Sequence, residues 1–153
     1  MKKLRRTDRE LETNEAISLF SNCEYGVLST VDENGQPYGV PLNYVYKNNS
    51  IFFHCARVGH KLENMDRNPR VSFCVVGHTK VLPAEFATEY ESAVAFGVAS
   101  EVRGKIKNSA LLWLLEKYSS QFIEEGKSYI EKHKEATTVI KIEIDHISGK
   151  ARR

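Results

Sequence analysis

Three strand-like segments, joined by connections too short to hold a helix, fill residues 25–55. Tyr25-Gly26-Val27-Leu28-Ser29-Thr30-Val31 ends at Asp32-Glu33-Asn34-Gly35, and the Asn-Gly pair is a strong hairpin signal. Tyr38 to Tyr46 comes next, closed by Lys47-Asn48-Asn49-Ser50, and Ile51-Phe52-Phe53-His54-Cys55 is the third. Parallel strands need a crossover of a dozen or more residues, so these segments form an antiparallel meander.

The rest of the chain adds strands at wider spacing and helices at the corners. Arg70 to Val76 reads as a fourth strand, with Val71, Phe73 and Val75 on one side. Tyr90 to Val102 is the longest. Its centre, Ala93 to Ala99, is apolar on both faces, which calls for a barrel interior on one side or a partner subunit on the other. The last strand, Thr138 to Ile147, alternates Val139/Lys141/Glu143/Asp145 with Ile140/Ile142/Ile144/His146. Asn14 is positioned to cap a helix over Glu15–Cys23, and His60 to Arg67 reads as a short helix stopped by Asn68-Pro69. Leu111, Leu114, Leu115, Tyr118 and Phe122 predict an amphipathic helix over 108–122. The expected fold is mainly β, a six-stranded antiparallel barrel with peripheral helices.

Length and charge narrow the function classes. The 153 residues suit a single domain, 1–153, and no internal repeat or linker divides them. The formal charge is +2, with +4 in residues 1–9 and +3 in residues 150–153, so the body between them carries −5. Basic ends on an acidic body make a poor footprint for nucleic acid, and both ends read as a solvated arm and tail. No apolar run is long enough to span a membrane, and the basic start lacks the apolar segment of a secretory signal. Three cysteines cannot all pair, which points to the reducing cytoplasm. His54, Cys55, His60, Cys74 and His78 lie within 25 positions, but no C-x-x-C or H-E-x-x-H spacing is present. His54 and Cys55 also point to opposite faces of a strand, so no metal is assigned.

The segment Phe53 to Lys61 carries the strongest chemistry. A strand end passes through a turn at Gly59 into a helix start bearing Lys61. Free N–H groups at a helix start, its dipole and an ammonium together suit a phosphate.

The run Gln36-Pro37-Tyr38-Gly39-Val40-Pro41-Leu42-Asn43-Tyr44, then His54-Cys55-Ala56-x-x-Gly59-His60-Lys61, then Asn68-Pro69-Arg70-Val71-Ser72-Phe73 resembles the flavin-binding split barrels related to pyridoxamine 5′-phosphate oxidase. Arg5-Arg6-x-Asp8-Arg9-Glu10, Pro37 to Pro41 and Tyr90-x-Ser92-x-x-x-Phe96-Gly97 resemble their nitroimidazole-resistance-like branch.

The resemblance implies a homodimer with FMN, or FAD, between subunits. Val40, Pro41, Leu42, Asn43 and Tyr44 would line the flavin, His54 and Cys55 would sit beside it, and His60 and Lys61 would hold its phosphate. His60 stands where the family has an arginine, and imidazole cannot supply a bidentate fork. Ser92 falls where the oxidases use a glutamine from the second subunit. The oxidases' C-terminal Trp and Arg pattern is missing, which weighs against vitamin B6 oxidation. The implied activity is flavin-dependent oxidoreduction, with nitroaromatic compounds as candidate acceptors and His54 as candidate proton donor. A flavin-storing or redox-sensing module is the other class. Split barrels also serve haem enzymes, but the nitroimidazole-resistance likeness argues against haem here. His54 would by default be a hydrogen-bonded structural histidine, Tyr38, Tyr44 and Tyr90 could stack on a ring, and Cys55 is expected to be an inert buried thiol.

Overall fold

A computed structural model describes residues 1–153. Its seven strands are β1 (Tyr25–Val31), β2 (Pro37–Asn43), β3 (Val45–Lys47), β4 (Ser50–Cys55), β5 (Arg70–Leu82), β6 (Ala87–Val102) and β7 (Thr138–Arg152). They form one antiparallel sheet in the order β2-β1-β5-β6-β7-β4-β3. The two edge strands, β2 and β3, are halves of a single run interrupted only at Tyr44. The sheet therefore wraps around until its edges meet, which is a barrel split at one residue. This accounts for seven strands where the sequence predicts six: Tyr38–Tyr46 pairs with β1 over its first half and with β4 over its second.

Three strands run longer than their apolar patterns. β5 and β6 continue past Val76 into a hairpin turned at Pro83–Glu85, with Phe86 left-handed (φ 50°) and 98% exposed. In that ribbon His78 to Val81 are exposed and Ala87 to Tyr90 half-buried, so no alternation of buried and exposed residues marks it in the sequence. β7 continues to Arg152, pairing Lys150 with Ser92, and Arg153 bridges Glu91 and Glu15 at 3.1 Å. The basic tail is therefore a strand end, not a solvated tail. At the other end, the backbone of Glu10 forms an antiparallel β-bridge with that of Lys150, which ties the root of the N-terminal arm to the barrel.

Four helices complete the fold: α1 (Thr13–Asn22), α2 (His60–Arg67), α3 (Gly104–Tyr118) and α4 (Ile123–His133). Glu12, not Asn14, caps α1, in a reciprocal box with Glu15. The predicted helix over 108–122 begins four residues earlier and stops at Tyr118, because Ser119 leaves helical geometry (φ −143°) and Phe122 belongs to a separate 3-10 turn. α4 lacks a sequence signal, since Gly126 and five charged side chains interrupt its apolar positions. No helix is long and apolar enough to cross a membrane.

The main core fills the barrel, with Phe20, Leu28, Tyr44, Ile51, Phe53, Phe73 and Ile142 at its centre. A second core lies outside the wall, where Val45, Phe52 and Val139 meet Ala110, Leu111 and Leu114 of α3. Alternation along β4 sends Phe53 inward and Phe52 outward under α3. His54, two residues on from Phe52, emerges on the same outer face at the edge of α3.

Candidate functional site

The end of β4, the start of α2, strand β2 and the residues before β7 enclose a groove of about 370 Å³. Val40, Pro41 and Leu42 form one wall, His54 and Cys55 another, and Lys61 and Thr137 complete it. Thr137 is held in place by Lys107, whose ammonium donates to its carbonyl at 2.6 Å. Arg57 donates to the Glu135 carbonyl at 3.0 Å, tying the loop before α2 to the turn before β7.

Gly59 caps α2 with φ +155° and ψ +163°, a conformation open essentially to glycine alone. No atom lies within 4 Å of where its Cβ would stand, and no side chain caps the first N–H groups of α2. Lys61 is half-buried in the same turn. It belongs to no ion pair. The lysines that donate hydrogen bonds are Lys107, Lys117, Lys127 and Lys134, and Lys61 is not among them. A free ammonium beside unpaired N–H donors is a cation set without its anion.

His54 is exposed by surface area, yet the groove walls around it withdraw enough water to hold its pKa below the ordinary imidazole range. Desolvation is the sole cause and no hydrogen bond fixes the ring, so the default of a hydrogen-bonded structural histidine does not describe it. The imidazole is neutral at pH 7, able to accept a proton or, through its N–H, to donate a hydrogen bond. Burial pushes the Cys55 thiol up, with Lys61 opposing more weakly, so the thiol is not primed as a nucleophile.

Six of the ten predicted binding residues thus meet in one groove: Val40, Pro41, Leu42, His54, Cys55 and Lys61. Asn43 lines an adjoining lobe. Tyr44 does not reach either. Its ring is fully buried against Phe73, its hydroxyl donates to the Phe20 carbonyl at 2.5 Å, and its own N–H and carbonyl are engaged by Tyr118 and Lys117. His60 turns out of the groove onto Tyr38, with ring centroids 4.1 Å apart. Ser92 pairs with Val76 and Lys150, whereas His54 pairs with Val139 and, across it, Val102. Ten residues of strand, roughly 33 Å, separate Ser92 from that row. Tyr90 lies at the same remote end, beneath the Lys150 ammonium. No group of three or more His, Cys, Asp or Glu converges as a metal site.

The structure adds two residues that the sequence does not single out. Lys117 donates to the carbonyls of Cys23 (2.8 Å) and Tyr44 (2.9 Å) and sits 3.9 Å from the centre of the Tyr44 ring. Burial lowers its pKa. Tyr118 accepts from the Tyr44 N–H at 3.0 Å and donates to the Glu24 carbonyl. Together they latch α3 onto the split in the barrel. The helical periodicity around Tyr118 is visible in sequence, but the backbone groups it meets are 74 and 94 positions away.

Comparison with known proteins bears on the fold. A family model described as pyridoxamine 5′-phosphate oxidase matches residues 12–151. Among solved structures, a proposed 5-nitroimidazole antibiotic resistance protein from Bacteroides thetaiotaomicron is 24% identical, with a TM-score of 0.79 over 93% of this chain and 86% of that one. A FAD-binding protein from Mesorhizobium loti is 24% identical, with a TM-score of 0.69 over 95% and 98%. A FAD- and haem-binding protein from Mycobacterium smegmatis is 17% identical, with a TM-score of 0.82 over 95% and 74%. A search of curated proteins finds no match. At these identities the solved structures establish the split-barrel fold and nothing finer.

Proposed function

The chain belongs to the pyridoxamine 5′-phosphate oxidase family, and on that footing we propose that it binds a flavin, FMN by preference, and acts as a flavin-dependent oxidoreductase. The observation that carries this is Lys61, a half-buried, unpaired cation beside the open start of α2. Its phosphate would rest on Lys61 and the first N–H groups of α2, while Val40, Pro41 and Leu42 offer an apolar strip to the ring system. Bound there, the flavin would supply the electron transfer, and the protein would position it and exclude water.

His54 would relay a proton from water to an acceptor such as a nitroaromatic compound, its resting neutral imidazole taking up the proton before passing it on, since it faces the groove with no partner of its own. Replacement by alanine would then leave FMN bound and lower turnover about 10²–10⁴-fold. Turnover no faster than free FMN in the wild type would instead favour a storage or sensing role. FAD gains support from a polar cleft adjoining the groove at Thr137, where Arg57, Arg103, Lys107 and Lys134 outnumber Glu101 and Glu135.

The proposal includes a homodimer. β6 presents half-buried Val94 and Phe96 and exposed Val98 on its outer face, and the β5–β6 hairpin carries exposed Val81 and Phe86. These are apolar surfaces for a second copy, which would also bring its own Ser92 toward the flavin. An interface of ~2,000 Å² or more is expected. Three unpaired cysteines suit a reducing compartment such as the cytoplasm.

The test is titration of the purified protein with FMN, FAD and riboflavin, after mass spectrometry of any chromophore released from it. Tighter binding of the two phosphorylated flavins is expected. Riboflavin bound as tightly as FMN would remove the phosphate assignment, and no flavin bound at all would remove the function.

A further inference from the structure

A second lobe opens from the same groove, about 450 Å³ in volume, between α3 and α4. It shares His54 and Thr137 with the Lys61 groove, so the two depressions adjoin at the imidazole. Their linings differ sharply. In the second lobe, buried Leu111 and Leu114 make the floor, Leu115 and Ile130 the flanks, and the exposed rings of Phe122 and Tyr129 the rim. The Tyr129 ring lies 4.3 Å from that of His133, a pair of flat faces standing at the entrance.

The lobe has the size of a small-molecule site and presents mainly apolar surface, although Asn43, Ser119, Glu125, His133, Lys134 and Thr137 also border it. Its formally charged side chains are one acid, Glu125, and one base, Lys134, so the lobe offers no net field to an ion. Lys134 is already paired with Glu131 at 3.0 Å, so an anionic ligand would lose hydration there without gaining a free cation. The aromatic rim and leucine floor instead favour a flat ring, and His54 and Asn43 at the inner end can hydrogen-bond one polar substituent.

We propose that the α3–α4 lobe is the acceptor site, and that it selects small, uncharged, planar aromatic molecules over their anionic counterparts. Tyr129 and Phe122 set that selectivity as the apolar rim. The assignment rests on the flavin reading only in calling the occupant an acceptor, because a molecule seated in the lobe has its inner edge at His54, facing the flavin groove.

Benzamide and benzoate have nearly the same shape and differ in charge. Calorimetric titration of the flavin-loaded protein is expected to show benzamide binding at least tenfold more tightly than benzoate, without displacing FMN. Tyr129 is 66% exposed, so Tyr129→Ala leaves the fold and FMN affinity intact. It should weaken benzamide about tenfold, and Tyr129→Phe should restore it. Equal affinity for the two probes, displacement of FMN by benzamide, or an unchanged benzamide affinity in Tyr129→Ala would each overturn the proposal. So would a Tyr129→Ala protein that sediments as a smaller species with benzamide binding unaltered, since the lobe would then be a subunit contact. Repeating the titration without flavin separates the two ideas. Selective benzamide binding by a protein that takes up no flavin would retain the lobe and remove the flavin reading. FMN binding without selective benzamide binding would do the reverse.

Discussion

Two lysines stand at two helix corners of the barrel and behave differently. Lys117, at the end of α3, is fully engaged by two carbonyls and an aromatic face. Lys61, at the start of α2, is half-buried with no ion pair or hydrogen bond of its own. A cation satisfied from within holds the chain together, whereas a half-buried one with no protein partner remains available to a ligand. The helix ends around them follow the same division. α3 closes with Lys117 and Tyr118 hydrogen-bonded into the barrel split, and at the start of α2 the place a Gly59 side chain would take is open.

The sharpest way to break this contrast is Lys61→Ala. Loss of a charge-assisted contact to phosphate is expected to weaken FMN by about 1.5–3 kcal/mol, roughly 10- to 150-fold. Riboflavin affinity and urea midpoint should stay unchanged, and equal losses for the two flavins would erase the distinction between the corners. Lys117→Ala should act the other way, removing about 1–2 kcal/mol of stability by thermal melt, because the Cys23 and Tyr44 carbonyls lose their donor. Its effect on FMN per folded molecule should be negligible.

Gly59→Ala sharpens the comparison further. The Cβ meets no neighbour, so its effect comes from backbone strain alone, on the order of 1 kcal/mol. That strain is expected to move the first turn of α2 and reduce FMN binding while leaving the α3 corner unaffected. The smallest effect concerns His54. Its folded pKa lies below the unfolded value of 6.5, so the unfolded chain binds more protons in that interval. Its contribution to stability is whole above pH 6.5 and declines as pH falls toward the folded pKa. His54→Gln should flatten the acid limb of the flavin-free protein's urea midpoint against pH, and a limb identical to wild type would place the imidazole in open water.

Much of the framework was legible in the chain. Asn34-Gly35 dictates the β1–β2 hairpin, and β1 and α2 follow the sequence pattern to the residue. Val40, Pro41 and Leu42 share a groove with His54, Cys55 and Lys61, as the family resemblance implies. Tyr44 shows where that legibility ends. In sequence it is one more residue of a strand, but in space it is the break at which one run leaves β1 and joins β4, and its ring goes to the core.

The sequence by itself determined the core of each strand, the tight turns and the glycine-led start of α2, because each depends on residues within a few positions of one another. Tertiary structure alone decided that the sheet closes on itself, that Lys117 is consumed by the split while Lys61 is left free, and that α4 stands over His54 to make a second lobe. Those outcomes depend on strand register and helix docking between residues tens of positions apart, and no local periodicity encodes which distant carbonyl or side chain a given residue will meet.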